Sequence, residues 1–524
     1  MLSNNVLKDL DIDSVSSHLD FTTPWGKDTF INKVKEPSTD IKELKKTQLP
    51  LLVFKLEPEV RGKVKAILKT LRTDYLDDLL HNKDPRIKET VEQVIWAPES
   101  IGSFLNSSPT VLNALITWKT LVLPLIAILM PIVALILPYV LLRLTSVKIS
   151  STEYLERMKD VLLQQITIPS LLKTRSDNDI IGFLLERLFI AVTLVTFISG
   201  IWNQISPALH LRNIWFTLEE QGVACIESIK GLREFKNIVN TLPNKKRVGL
   251  TSVLIKVDDI LEHVAHLEDY GGVATYAHFY KDPTYLGKLV EFYAELDVYA
   301  TIASLDTICF PTYTKSICCD LSGVLHPLVK PCISNNFNSV NALVTGPNRG
   351  GKSTYCKALG LAIMTAQSWG FAWAASFRLS PFARHCIALT PSPALGETST
   401  FEAEIDFAKS VLSASDSEGP TFVMMDEIFH STNAYDGVQA SRIFLSQLYD
   451  RKNLVSLIST HYHELATEFE QRIVQLYLEA KESEDHKLSY TYKVSKGISK
   501  LSSVLEILEE RGLFVPGPGA ATAV

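Results

Sequence analysis

Short and long apolar runs occupy different parts of this chain, and they predict different elements. Three short runs, Asn341–Thr345, Thr421–Met425 and Leu454–Ile458, are bounded by polar residues. Such brief, unbroken apolar stretches predict strands covered on both faces, as in a parallel sheet. Tyr355–Gln367 predicts a helix. Tyr285–Leu305 predicts another, because Leu286, Leu289, Phe292, Leu296, Tyr299 and Ile302 recur at three and four positions, the spacing of one buried helical face. The long runs are of another kind. Thr120–Leu142 contains no charge, and Leu188–Trp202 extends uncharged to Leu209 through Asn203, Gln204 and Pro207. A bilayer core about 30 Å thick needs around 20 helical residues, so the first run is long enough to span it. Trp118 and Lys119 at one end and Tyr139 and Arg143 at the other suit interfacial anchors. Pro124, Pro131 and Pro138 each remove a helix N–H, which a membrane helix tolerates with a kink or with help from neighbours. The alternative for both runs is a buried helix in a large core.

The expected strands carry chemistry at their ends. Gly346-Pro347-Asn348-Arg349-Gly350-Gly351-Lys352-Ser353-Thr354 follows the first and opens the helix. This is the phosphate-loop pattern in its proper strand–helix context. Glycines let backbone N–H groups curl around a β-phosphate, and the helix N-terminus adds partial positive charge. Lys352 would reach the β/γ-phosphates and the Ser353 hydroxyl would ligate Mg2+. The second strand ends in Asp426-Glu427. A carboxylate at the C-terminal edge of a parallel sheet lies at the ligand crevice. Asp426 would hold the metal through water, and Glu427 would orient or deprotonate the attacking water. The third strand delivers Ser459-Thr460-His461, making His461 a candidate γ-phosphate sensor.

These motifs also carry a family resemblance. "TGPNRGGKSTYCKALGLAIMTAQ", "ETSTFEAEI", "FVMMDEIFHSTNAYDG" and "STHYHEL" occur in the order and approximate spacing of the MutS family of DNA mismatch-repair ATPases, within the ABC-type class. The resemblance implies ATP and Mg2+ as cofactors and two composite sites closed across a dimer. Ser399, with Thr400 and Phe401, matches the signature segment that touches the γ-phosphate held by the partner subunit. Asn348 matches a residue near the γ-phosphate. One motif departs: the family usually has Gly-Arg-Gly-Thr after Asp-Glu-Ile, and this chain has Phe429-His430-Ser431-Thr432. In relatives that loop communicates between the two nucleotide sites, so the departure bears on the rate and alternation of hydrolysis and not on ATP binding.

Upstream the likeness is looser. Leu19–Lys27 resembles the opening of the family's helical lever, Tyr285–Leu305 its return helix, and Leu325-His326-Pro327 the entry to the nucleotide domain. The implied fold is an α/β phosphate-loop ATPase domain of ABC type at the C-terminus, preceded by a mostly α-helical lever/core domain with a hydrophobic, membrane-inserted insertion. The expected boundaries are 1–115 and 211–310 for the two lever halves, 116–210 for the insertion with spans at 120–142 and 188–209, 311–511 for the ATPase domain, and 512–524 for a tail. The lever begins so early that the family's mismatch-reading and connector domains are not expected. Packing the two lever halves together on a cytosolic ATPase domain requires an even number of membrane crossings, and two apolar runs meet that as a hairpin. Arg143, Lys148, Arg157, Lys159, Lys173, Arg175 and Arg187 lie between them. The positive-inside tendency would keep that loop cytosolic, and a re-entrant or interfacial first segment would reconcile the two.

Composition adds little that is specific. Hydrophobic residues make up 46% of the 524 residues, and mean hydropathy is +0.12, raised by the two long runs. The N-terminus lacks the basic start and apolar run of a signal peptide. Seven cysteines (225, 309, 318, 319, 332, 356, 386) show no CxxC spacing, which fits reduced core thiols and not a disulfide framework or zinc site. A net charge of −6 gives no overall attraction to nucleic acid. Local basic clusters exist at Lys42/Lys45/Lys46, Lys63/Lys65/Lys69/Arg72 and Lys245-Lys246-Arg247, and a homodimer presenting them would contact double-stranded or branched DNA through phosphates. Two functions are therefore expected: a membrane-tethered, DNA-handling ATPase, or a membrane-anchored conformational machine acting on a protein or membrane partner. Tyr492 is a candidate for stacking on the base.

Overall fold

The computed structural model describes residues 2–513 apart from 82–87, 90, 98, 146–148, 166–179, 390–399, 483–487, 500, 502, 504–506 and 509. The chain forms two compact units, one of residues 1–70, 234–259 and 290–524, the other of 71–233 and 260–289.

The first unit is built on two sheets. The larger has the strand order β10-β9-β4-β8-β7-β6, where β4 is Asn341–Thr345, β6 Arg384–Ala388, β7 Thr421–Met425, β8 Leu454–Ser459, β9 Val474–Glu482 and β10 Leu488–Lys496. All neighbours are parallel except β9 and β10. Every residue of β7 and β8 is buried, which is why these strands read as unbroken apolar runs and not as alternating ones. Register places Leu343 of β4 and Met425 of β7 both beside Ile458 of β8. The three strands therefore end at one level. A second sheet, ordered β1-β5-β2-β3 (Thr312–Tyr313, Ser376–Leu379, Cys319–Val324, Asn335–Asn338), completes the body.

Helix α1, Lys352–Ser368, follows β4 and buries most of its surface, including Tyr355, Leu359 and Ile363. Just beyond it, fully buried Trp369 lies nearly parallel to Phe30 (ring centroids 6.2 Å apart) and edge-on to Tyr299 (5.7 Å). Its indole N–H donates to the Phe30 carbonyl at 3.1 Å. Such aromatic contacts are worth about 0.5–1.5 kcal/mol beyond the area they bury. The helix Thr284–Ser304 brings a second anchor. Its Asp297, fully buried, accepts from the backbone N–H of Thr22 (3.0 Å) and Thr23 (2.7 Å) and from the Thr23 hydroxyl (2.8 Å). A buried carboxylate persists only with this kind of compensation, and here it fixes the segment leading into the helix Pro24–Val34.

The second unit is helical among its described residues. Glu219 accepts from the backbone N–H of Gly272 (3.1 Å) and Val273 (2.8 Å), capping the helix Gly272–Lys281. The first apolar run forms Pro109–Thr117, a π-turn at Trp118–Val122 and the helix Leu123–Leu144. Pro124 falls in the first turn of the last helix, which continues from the π-turn, while Pro131 and Pro138 lie inside it. Seven residues apart, the three prolines share one stripe of the helix. Large apolar side chains project outward all along it, with Leu125 50%, Met130 58%, Ile136 53% and Leu141 52% exposed.

By length and composition, one stretch among the described residues is able to cross a membrane, Pro109–Ala134. It overlaps the expected span at 120–142 but begins earlier. The run at 188–209 is no separate element: it lies inside a 61-residue helix, Ile180–Asn240, that passes through Pro207. Leu188, Val195 and Trp202 are exposed there.

Candidate functional site

The common level of β4, β7 and β8 brings the expected site residues together. β4 ends at Thr345 and the chain enters the loop Gly346–Gly351 before α1 begins at Lys352. Gly351 takes φ +97°, and a side chain at Gly350 would put its Cβ 2.9 Å from the Pro347 carbonyl oxygen. The loop can be this tight only because both residues lack a Cβ. Arg349 also has positive φ (+65°). Lys352 is 5% exposed, and its Nζ donates to the carbonyls of Gly346 (3.0 Å) and Pro347 (3.4 Å). Burial lowers its pKa, while nearby Glu427 and Asp426 oppose that shift.

Asp426, directly after β7, sits between two hydroxyls. Ser353 Oγ donates to one carboxylate oxygen and Ser459 Oγ to the other. The Glu427 backbone N–H donates to Ser459 Oγ at 2.9 Å, and its carboxylate lies 2.6 Å from His461 Nε2. That hydrogen bond is the main reason the Glu427 pKa lies below the ordinary value, against partial burial that would raise it. Glu427 has φ +53°, a conformation costly for a residue with a side chain.

A cleft of about 720 Å³ opens beside the loop, lined by Pro347–Tyr355 including Asn348 and Thr354, by Glu427, and by Pro331, Ile333, Tyr490 and Tyr492. The lining combines polar groups with apolar and aromatic ones, as ligand clefts do, and the Tyr492 ring lies close to Gly351 of the loop. Tyr492 stacks on Tyr490 with centroids 6.2 Å apart, and its carbonyl accepts from Asn335 Nδ2 at 2.9 Å. The residues present fit a magnesium ion as well as a polyphosphate. Among the described residues, no group of three or more His, Cys, Asp and Glu is arranged to hold a metal alone. The oxygens of Ser353 and Asp426 suit an ion that draws most of its ligands from phosphate and water.

Ser399 lies outside the described residues. Thr400 and Phe401 open helix α2, Thr400–Ser415. Phe401 meets Phe429 edge-on at 6.1 Å, and Phe429 meets Phe444, on helix α3 (Ala434–Tyr449), at 6.0 Å. Phe429 is therefore buried, in the left-handed region at φ +50°, where the resembling family has glycine. The contact of Ser459 with Asp426 is not evident from sequence alone, although Ser459 precedes Thr460-His461 at the strand end.

This geometry defines a phosphate-loop domain on a mainly parallel sheet. Its residues 342–516 match the family model described as MutS domain V. Curated proteins named DNA mismatch repair protein MutS are similar to it. That of Leuconostoc mesenteroides is 27% identical over 273 residues, covering 45% of this chain and 32% of that protein. That of Shouchella clausii is 31% identical over 194 residues, covering 34% and 22%. The protein from Lactobacillus helveticus is 31% identical over 245 residues, covering 44% and 28%. The chain thus spans a third or less of the length of these relatives. Together the matches liken the C-terminal part of this chain to MutS proteins, over residues 342–516 to their domain V.

Proposed function

We infer that the chain is a MutS-like ATPase that binds Mg-ATP in the cleft beside Gly346–Thr354. The observation that carries this is the convergence of Ser353, Asp426, Glu427 and His461 at the ends of three adjacent strands. Backbone N–H groups of the loop and Lys352 would bind the phosphates, and Ser353 with Asp426 would hold the magnesium. That ion would neutralise charge on the β- and γ-phosphates. Glu427, kept ionised by His461, takes a proton from the attacking water. Ser399 completes the site across a homodimer, as the resemblance implies, and Tyr492 stacks on the base.

The second part of the proposal concerns setting. Exposed apolar side chains on the helix 123–144, with Leu188, Val195 and Trp202, support anchoring in a membrane; we take the anchor as multi-pass, with the ATPase domain on the cytosolic side. The load is DNA of the mismatch or branched type, or else a protein or membrane partner. One observation favours the latter. Several cations of the basic clusters are already paired, Lys63 with Glu59 (2.9 Å), Arg72 with Glu220 and Lys246 with Glu57, which leaves less charge for phosphate contacts. Magnesium-dependent ATP hydrolysis by the detergent-purified protein tests the first part; protein that retains no Mg-ATP at millimolar concentration refutes it. Salt-sensitive binding to duplex DNA tests the load, and resistance to alkaline carbonate extraction tests the anchoring.

A further inference from the structure

The loop after Glu427 is held by one carboxylate from a different helix. Glu404 projects from α2, with its side chain 12% exposed. It accepts the Ser431 hydroxyl at 2.8 Å, and His430 Nδ1 lies 3.2 Å from its other oxygen. The same Nδ1 lies 2.8 Å from the Glu427 carbonyl oxygen. Both neighbours of Nδ1 are acceptors, so Nδ1 carries the proton; it donates to the Glu427 carbonyl, and the Glu404 carboxylate lies beside it. Glu404 and Glu427 also line a common cleft of about 250 Å³ with Thr400, Asp426 and Phe429. Glu427 and Phe429 are both held at positive φ without being glycine, a conformation that lasts only where surroundings enforce it. Here the enforcing contacts are Phe401 on Phe429, the Tyr462 hydroxyl donating to the Phe429 carbonyl (3.0 Å), and the Glu404 bridge.

We propose that Glu404 is a positioning residue for hydrolysis: through His430 and Ser431 it sets the backbone at Glu427, tying the attitude of the proton-accepting carboxylate to helix α2. The inference rests on the ATPase reading above. His430 and Ser431 occupy the positions where the resembling family carries Arg and Gly, so the bridge belongs to this chain's own loop.

The test compares parent, Glu404→Ala, Glu404→Gln and Ser431→Ala as full-length protein in detergent, measuring single-turnover hydrolysis, affinity for a fluorescent ATP analogue and thermal melting. Misplacing a reacting group by under an ångström costs about tenfold or more in rate, so Glu404→Ala is expected to lower the hydrolytic rate about tenfold with nucleotide affinity within about twofold of the parent. Glutamine keeps one acceptor oxygen, which can face His430, while its NH2 can donate to the Ser431 hydroxyl, so it is expected to restore most of the rate. Adding Ser431→Ala to Glu404→Ala is expected to cost little more, because both remove the same bridge. An unchanged rate in Glu404→Ala, or losses of rate, affinity and melting temperature in parallel, overturns the proposal. If Glu404→Ala does not fold, Ser431→Ala decides: it is expected to slow hydrolysis about two- to fourfold at parental affinity, and full activity overturns the proposal. A parent that hydrolyses no ATP brings down the ATPase reading as well, whereas an active parent with an unaffected Glu404→Ala brings down only the role of Glu404.

Discussion

The sheet that ends at the phosphate loop and the helix at 123–144 are both rich in Leu, Ile and Val, yet they use them in opposite ways. In the sheet, Leu343, Val423, Leu457 and Ile458 are completely buried, and the buried Ser456 finds a partner in Asn341 Oδ1 at 3.0 Å. In the helix, Leu125, Ile132 and Val140 are exposed to 40% or more. Identical side chains therefore stabilise the protein against water in one place and require an apolar surrounding in the other. The difference teaches that hydrophobicity alone does not state a role; run length and what the run is packed against do.

Four tests sharpen or break this contrast. The largest effect belongs to the chemistry at the sheet's edge. Glu427→Gln is expected to retain ATP while slowing turnover by about 10²–10⁴-fold, the usual worth of a general base; undiminished steady-state hydrolysis would remove the role assigned to that carboxylate. Next comes the core: Leu457→Ala should cost about 2–5 kcal/mol of unfolding free energy, against about 0.5 kcal/mol or less for Leu125→Ala in detergent. Comparable losses at the two sites would show that the helix is covered by protein. Third, Ile132→Lys should reduce membrane retention by an amount corresponding to about 2.5–3.5 kcal/mol of insertion free energy, with ATPase activity in detergent kept. Retention equal to the parent's after carbonate extraction would argue against insertion at that position.

The smallest change concerns pH. His461 depresses the Glu427 pKa chiefly through its hydrogen bond. The base works ionised, and its lowered pKa keeps it so further into acid. In His461→Asn the pKa rises towards the ordinary carboxylate value, so the acid limb of the hydrolysis profile moves to higher pH. A limb that stays in place would mean that Glu427 is not the group titrating.

Most of the sheet and its loop could be read in advance because their signals are local. β4 and β7 coincide with the apolar runs 341–345 and 421–425, and the return helix, placed at 285–305, spans 284–304. Gly350 and Gly351 announce a tight turn by themselves. The Glu404 bridge to Ser431 spans 27 positions, and no periodicity points from one to the other. Phe429 reads as a departure from a glycine pattern, but only the packing of Phe401 and Phe444 shows how an aromatic occupies a left-handed position. The run at 188–209 carried no mark of where its helix would stop, since neither Pro207 nor the polar Asn203 and Gln204 ended it.

Asp297 gives the chain a particular order of assembly. Thr22 and Thr23 obtain the acceptor for their amides from a residue 275 and 274 positions later. During synthesis at about 5–20 residues per second, the threshold of the first long helix must wait for tens of seconds in solvent. Until the ribosome has passed that aspartate, the opening of the polypeptide has no fixed place to dock.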